Sequence, residues 1–196
     1  MKKLFMITLL ITSVYLLLNT EEPIEILPRI AEKQENIPLL VKPNRVYKTE
    51  GSPWDKMFSR VKHYESFQPK AYRCSGGVMT IGYGHTKNVK WGDTVTETEA
   101  LKLLEEELLV AKNHVLRIVK VPLTENQLAS LTSFTFNCGQ GSLRKLVCEK
   151  KNRLNGGNYK SVEVVMPQYR MAGGKVRKGL ELRRKWEVSL WLDKTM

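Results

Sequence analysis

Glu65, Cys74 and Thr80 are separated by eight and then five residues in the stretch Tyr64–Thr86, and no second carboxylate occurs until Asp93. A carboxyl group set beside Tyr64 and Phe67 is the kind of group that apolar neighbours can keep protonated, ready to hand a proton to a leaving oxygen. Taken alone, a glutamate at a helix end is ordinarily a solvated charge. A free thiol with pKa near 8.5 is only a few per cent ionised at neutral pH, so Cys74 needs a neighbour such as Arg73 to act as base or nucleophile. Without one it is a small core residue. His85 reads as a hydrogen-bonding or ion-pairing structural residue, and Gly82 and Gly84 as points where backbone can approach a ligand closely. The chain has no G-x-x-x-x-G-K-[ST], no G-x-G-x-x-G after a strand and no H-E-x-x-H, which removes the common phosphate, dinucleotide and metalloprotease readings. Its three cysteines, Cys74, Cys138 and Cys148, are an odd number without C-x-x-C spacing, so neither a zinc site nor a disulfide scaffold is indicated.

The elements that must position these groups have recognisable start and stop signals. Ser52 can cap a helix, Pro53 suits its first position and Asp55 favours its dipole. Met57, Phe58, Val61 and Tyr64 then recur at helical spacing, and the helix ends near Glu65. Between Ala71 and Gly84, glycines and β-formers predict a small hairpin turning at Gly76 and Gly77. From there the pattern is helical to the end. Thr96 with Glu99 and Thr124 with Gln127 are capping boxes, Gly139 and Gly156 are stops, and Leu180, Trp186 and Leu190 mark the last helix. Phe134 and Phe136 are expected in the core. A short helix, a glycine-rich β segment and a helical body make an α+β fold with Glu65 at the mouth of a two-lobed cleft.

The chain of 196 residues carries 32 Lys and Arg against 20 Asp and Glu, a net charge of +12, and nearly all of the excess lies beyond residue 50. A cationic domain is drawn to polyanions, whether nucleic acid, anionic lipid or wall polymer, and a solvated basic surface is the plain alternative. At the other end, Lys2 and Lys3 precede an uncharged run from Leu4 to Leu18, the pattern of an export signal. The run ends in Leu16, Leu17, Leu18 and Asn19, without the small residues of a cleavage site, and no cysteine follows to carry a lipid. At about 1.5 Å per residue it spans roughly 22 Å, a short membrane anchor. Residues 1–20 are therefore expected to be a signal-anchor, or a signal peptide, with the rest exported. Residues 21–51 hold Pro23, Pro28, Pro38 and Pro43 and six acidic residues. They read as a Pro-rich linker, with a strand-like arm over Ile37–Val41 as the alternative. Residues 52–196 form the catalytic domain. Export sets nucleic acid aside as a partner.

The blocks Tyr64–Thr86, Ser133–Gly139, Arg153–Asn155, and Gly173 and Gly174 with Gly179, Leu180, Arg183, Arg184 and Glu187 occur in the same order as in phage-type lysozymes. The stretch 54–192 thus resembles glycoside hydrolase family 24, exported members of which carry a membrane signal-anchor. The resemblance implies a mostly helical lysozyme fold, with a small N-terminal β lobe, a helical lobe and the active-site cleft between them. It implies hydrolysis of the β-1,4 bond between N-acetylmuramic acid and N-acetylglucosamine in peptidoglycan. Glu65 would be the general acid, and Cys74 and Thr80 would hold or activate a water on the far face of the sugar, giving inversion. Arg183 or Arg184 is the candidate ion-pair partner of Glu65, favouring its charged form until substrate weakens the pair. Three positions depart from the family pattern: Ser66 where glycine is common, and Met79 and Tyr169 where tryptophan is. No cofactor or metal is implied. The expected partners are peptidoglycan glycan strands and, through residues 4–18, the inner membrane, with the protein a monomer on its periplasmic face. Lytic transglycosylase action by Glu65 alone, and an inactive membrane-tethered wall-binding protein, are the competing readings. After export, Cys138 and Cys148, which flank a turn, could bridge.

Overall fold

The computed structural model describes residues 51–74, 76–148 and 152–194. The apolar run 4–18 and the Pro-rich segment up to residue 50 lie outside the described residues. Helix α1 spans Pro53–Glu65, with Ser52 accepting from the amide of Asp55 and proline in its first turn, as the capping signals predict. Strands β1 (Gln68–Arg73) and β2 (Met79–Gly82) pair antiparallel, Tyr72 opposite Thr80 and Arg73 opposite Met79. Helices α2 (Glu97–Ile118) and α3 (Glu125–Val147) both begin with complete capping boxes, at Thr96 with Glu99 and at Thr124 with Gln127. A 3-10 turn (Leu154–Gly156), helix α4 (Lys160–Val165) and a second 3-10 turn (Met166–Gln168) lead to α5 (Lys178–Trp191). Helix-rich architecture with small antiparallel sheets is the α+β class read from the sequence.

The apolar residues settle into two clusters. Trp54, Met57 and Val61 of α1, Tyr83, and Ala100, Leu104 and Leu108 of α2 form one. Val115 and Ile118 of α2, with Leu131, Phe134, Leu143 and Leu146 of α3, Val162, Met166 and Trp191, form the other. Helix α2, 22 residues long and hence about 33 Å, contributes its first half to one cluster and its end to the other. On the same helix Glu107, Val110 and His114 line a cleft, while Leu108 and Lys112 are buried on its other side. The cleft thus opens along one face of α2.

Gly139 interrupts the helix where a stop was expected: with φ 78° and ψ 163° it is non-helical, and a second helical segment of α3 starts directly beyond it. Two expectations change. The chain after Gly84 is not wholly helical, because Met171–Ala172 (β3) and Lys175–Val176 (β4) form a second hairpin around Gly173 and Gly174; two-residue strands leave no periodicity to read. Gly82, at φ 63°, serves packing: a Cβ there would lie 2.9 Å from the Cβ of Ala100 on α2, so only glycine lets the sheet seat against that helix.

Helix α1 ends at Ser66, whose φ of 57° and ψ of 141° fall where residues with a side chain are strained. Glycine at this position would carry no such strain, although it loses more entropy on folding. Ser66→Gly is expected to stabilise the fold by about 1 kcal/mol, read as a higher urea midpoint at unchanged m; an equal or lower midpoint would show that Ser66 is relaxed.

Candidate active site

Met57, Val61 and Glu65 follow one another at four-residue intervals, so the stripe of α1 that enters the core ends in a carboxylate at the cleft. Glu65 is 23% exposed, and its Oε1 accepts a 2.6 Å hydrogen bond from Nη1 of Arg183, which is 4% exposed. The other oxygen, Oε2, lies 3.5 Å from where a Cβ of Gly84 would stand; Gly84 has φ 92°, so the chain leaving β2 bends past the carboxylate without a side chain. The Arg183 guanidinium sits 5.3 Å from the ring centre of Tyr64 and 5.9 Å from that of Phe136, placements that favour a cation over aromatic faces.

Arg183 is fixed by a buried charge network in turn. Its Nε donates to Oε1 of Glu187 at 3.3 Å, and Nη2 of Arg184 donates to the same oxygen at 2.9 Å. Nε of Arg184 pairs with Oε2 of Glu187 at 2.7 Å, a close ion pair whose N–H is not aimed at the oxygen. Ser133 donates to Glu187 Oε1 at 2.7 Å, and Ser130 donates to its backbone carbonyl at 2.7 Å. Burial pushes the Glu187 carboxyl up, while Arg184, Arg183 and Ser133 pull it down. Of the two arginines considered as partners of Glu65, the structure places Arg183 on it. Arg184 reaches Asn137 Oδ1 at 3.0 Å and Cys138 Sγ at 2.7 Å.

Cys74 and Thr80 come together on the β1–β2 hairpin, in side-chain contact with each other. Their partners do not include Glu65, whose carboxylate bonds Arg183. The Cys74 thiol is held below its ordinary pKa, first by the backbone amides of Val78 and Gly76 and then by the Thr80 hydroxyl. Arg73, expected to do this, instead donates to the carbonyl of Gly77 at 2.9 Å and braces the turn. The Thr80 hydroxyl has one proton to donate, and the Val78 carbonyl at 3.1 Å competes with Cys74 for it. Cys74 is partly exposed, not a core residue. Cys138 and Cys148 are free thiols: Cys138, pushed up by burial, accepts from Arg184, and Cys148 accepts from Asn155 at 3.1 Å.

The cleft has a volume of about 460 Å³. Glu107 and His114 from α2, Phe136 and Asn137 from before the α3 kink, and Gln140 beyond it line the cleft with Glu65. Phe136 is partly buried against the Trp54–Leu108 cluster, as a core position was expected to be, and also lines the cleft, while Phe134 is fully buried with Tyr169 edge-on at 5.0 Å. His85 bonds Glu107 through Nδ1 at 2.8 Å and the Lys87 carbonyl through Nε2 at 2.9 Å, tying the β2 exit to α2. The sequence reading missed Glu107, His114, Asn137 and Gln140, which lie on long helices with nothing in their spacing to separate a cleft face from a solvated one. Among the described residues, no group of three or more His, Cys, Asp or Glu is arranged to hold a metal.

A profile of a family described as phage lysozyme matches residues 62–187. An endolysin of Acyrthosiphon pisum secondary endosymbiont phage 1 is 38% identical over 50% of this chain and 66% of its own length. A SAR-endolysin of bacteriophage PS119 is 35% identical over 65% of this chain and 77% of its own. The chain thus spans just under two thirds of the first relative and about three quarters of the second. Among solved structures, the muramidase domain of SpmX from Asticaccaulis excentricus superposes with a TM-score of 0.62 at 31% identity, covering 70% of this chain and 95% of that one.

Removing the Glu187 charge would leave two guanidiniums buried without their shared counter-ion. Glu187→Gln is expected to cost about 3–5 kcal/mol in urea unfolding; a loss under about 1 kcal/mol would mean that the arginines stand without it. Iodoacetamide labelling of the unmodified chain, followed cysteine by cysteine by mass spectrometry, is expected to give Cys74 a midpoint below that of free cysteine measured alongside. Thr80→Val is expected to raise that midpoint. A Cys74 profile coinciding with that of free cysteine would show that the turn amides do not hold the thiolate.

Proposed function

The chain belongs to the phage lysozyme family, and on that premise we propose that it is an exported endolysin of glycoside hydrolase family 24. Its reaction is hydrolysis of the β-1,4 bond between N-acetylmuramic acid and N-acetylglucosamine in bacterial peptidoglycan. The observation that carries this reading is Glu65, a half-buried carboxyl whose two oxygens have different surroundings at the edge of a cleft. Oε1 accepts from Arg183, so a proton belongs on Oε2, on the Gly84 side. A protonated carboxyl retains acceptor capacity on its other oxygen, and Arg183 can remain in place while Oε2 donates.

In the proposed step, Glu65 transfers this proton to the glycosidic oxygen as the bond from C1 to that oxygen breaks, and the leaving sugar departs with a new hydroxyl. A water positioned by Thr80 and Cys74 attacks C1 from the opposite face, and its proton passes to the Cys74 thiolate. The product is inverted at C1, Glu65 is left ionised and Cys74 protonated, and exchange with solvent restores both. The lowered thiol pKa supports the base role, because a larger thiolate fraction at neutral pH makes a sulfur usable where families of this chemistry commonly carry a second carboxylate. No cofactor or metal enters the scheme.

The proposal extends to the whole chain. Residues 1–20 act as a signal-anchor in the inner membrane, 21–51 as a Pro-rich linker and 52–196 as the catalytic domain, a monomer on the periplasmic face that binds glycan strands and not nucleic acid. The uncharged run 4–18 behind Lys2 and Lys3 supports this, as do relatives named SAR-endolysin, including those of bacteriophage PS119 and Escherichia phage Mu.

Mass spectrometry of soluble muropeptides released from purified peptidoglycan by the full chain in mild detergent tests the reaction. Hydrated reducing-end products are expected, with release slowed about 10²–10⁴-fold in Glu65→Gln and strongly slowed in Cys74→Ser. Anhydro products surviving Cys74→Ser would make the protein a transglycosylase, and no products from the native chain would leave a wall-binding protein.

A further inference from the structure

A second groove, of about 380 Å³, runs between α1 and the C-terminal end of α5. Its α1 wall presents Lys56, Arg60 and His63, spaced four and three residues apart and so stacked along one face of the helix. Lys194 faces them from beyond α5, and Asp193 is the one carboxylate among the lining residues. Basic side chains four apart on a helix repel, and among the described residues Lys56, Arg60 and Lys194 make no ion pair. The nearest acidic residues of α1, Asp55 and Glu65, lie at its two ends, and Glu65 is committed to Arg183.

The groove also has a preset orientation. The Arg60 guanidinium lies over the Trp186 ring, 5.7 Å from its centre, and that ring meets Tyr64 at 6.4 Å and 70°. Stacking holds the planar fork of Arg60 in place while its N–H groups make no hydrogen bond to a described residue. A fixed guanidinium fork matches a carboxylate with two parallel hydrogen bonds, and lysines beside it add point charges. Trp186 and Leu190 supply an apolar wall for the aliphatic part of such a ligand.

We propose that this groove binds the free carboxylates of the peptide stems of peptidoglycan, gripping the polymer at a second point away from the cleft. The proposal rests on the peptidoglycan-hydrolase reading. His63 and Glu65, two residues apart on α1, lie about 200° apart around the helix axis, so the groove and the cleft open on different sides of α1. A stem carboxylate of the same polymer seated in the groove relieves the charge repulsion along α1.

The test is co-sedimentation of the full-length Glu65→Gln chain with purified sacculi at about 0.1 M salt, where charges beyond roughly 10 Å are screened. In that background Lys56→Gln with Arg60→Gln is compared with a control pair, Lys102→Gln with Lys175→Gln, which removes the same charge elsewhere. The groove pair is expected to weaken binding roughly tenfold, the control pair less than about twofold, and Arg60→Lys alone, which keeps the charge but loses the fork, roughly threefold. On sacculi whose stem carboxyls have been amidated, the groove pair and its parent should bind alike. Equal losses for the groove and control pairs, or a groove-pair loss undiminished on amidated sacculi, would overturn the proposal. So would a groove pair that binds sacculi normally but loses binding to vesicles containing phosphatidylglycerol. Muropeptide release by the native chain is scored separately: absent release with groove-dependent binding intact removes only the hydrolase reading, and release with binding indifferent to the groove pair removes only this one.

Discussion

A carboxylate with no exposure to solvent, Glu187, holds two arginines side by side in the interior, and the geometry of the cleft follows from where those arginines must point. Two guanidiniums cannot share a buried site without a counter-charge, since the cost of desolvating each ion is several kcal/mol. Glu187 provides that charge, Ser133 fixes its orientation, and Ser130 ties the same turn of α5 to α3. Nη1 of Arg183 then reaches Glu65 at the cleft and Arg184 reaches Asn137 and Cys138, while Nη2 of Arg183 stays buried without a hydrogen-bond partner among the described residues. One buried anion thereby sets the Glu65 carboxyl at the end of α1 and the residues just before the α3 kink.

The cleft is a gap along one face of α2. That helix serves both clusters, as do α3 through Ala129 and Leu131 and α5 through Leu190 and Trp191, and at mid-length it buries Leu108 while Glu107, Val110 and His114 line the cleft. Glu107 and His85 bridge that gap on the side of the sheet, and His114 and Gln140 face it from α2 and α3, with Arg117 bonding both at 2.8 and 3.1 Å.

At the hairpin, the chain solves a different electrostatic problem. In the proposed reaction a thiol stands where a second carboxylate is usual, and it needs stabilisation that a carboxylate, already ionised at neutral pH, does not. The tight turn after Cys74 supplies it through backbone N–H groups, which carry no net charge and so do not compete with the ion pair at Glu65. The groove between α1 and α5 uses the opposite means, fixed side-chain cations with aromatic support, suited to a ligand that is itself charged.

Local chemistry was legible in the sequence because it depends on near neighbours. The caps at Ser52, Thr96 and Thr124, the end of α1 at Glu65, the first hairpin and the α+β class all follow from residues within a few positions of one another, and the spacing of Glu65, Cys74 and Thr80 carried the family resemblance. Tertiary structure decided what depends on distant pairs. Arg183 rather than Arg184 faces Glu65 because Glu187 holds both, an arrangement spanning 118 residues for which no spacing rule exists. That Phe136 would also line the cleft, and that a second helical segment would follow directly after Gly139, depended on how α3 packs, and turn amides rather than Arg73 lower the Cys74 thiol because the hairpin aims them there. Composition and periodicity report which groups a segment can bury or cap; which of two adjacent arginines meets a given carboxylate is fixed only when the helices pack.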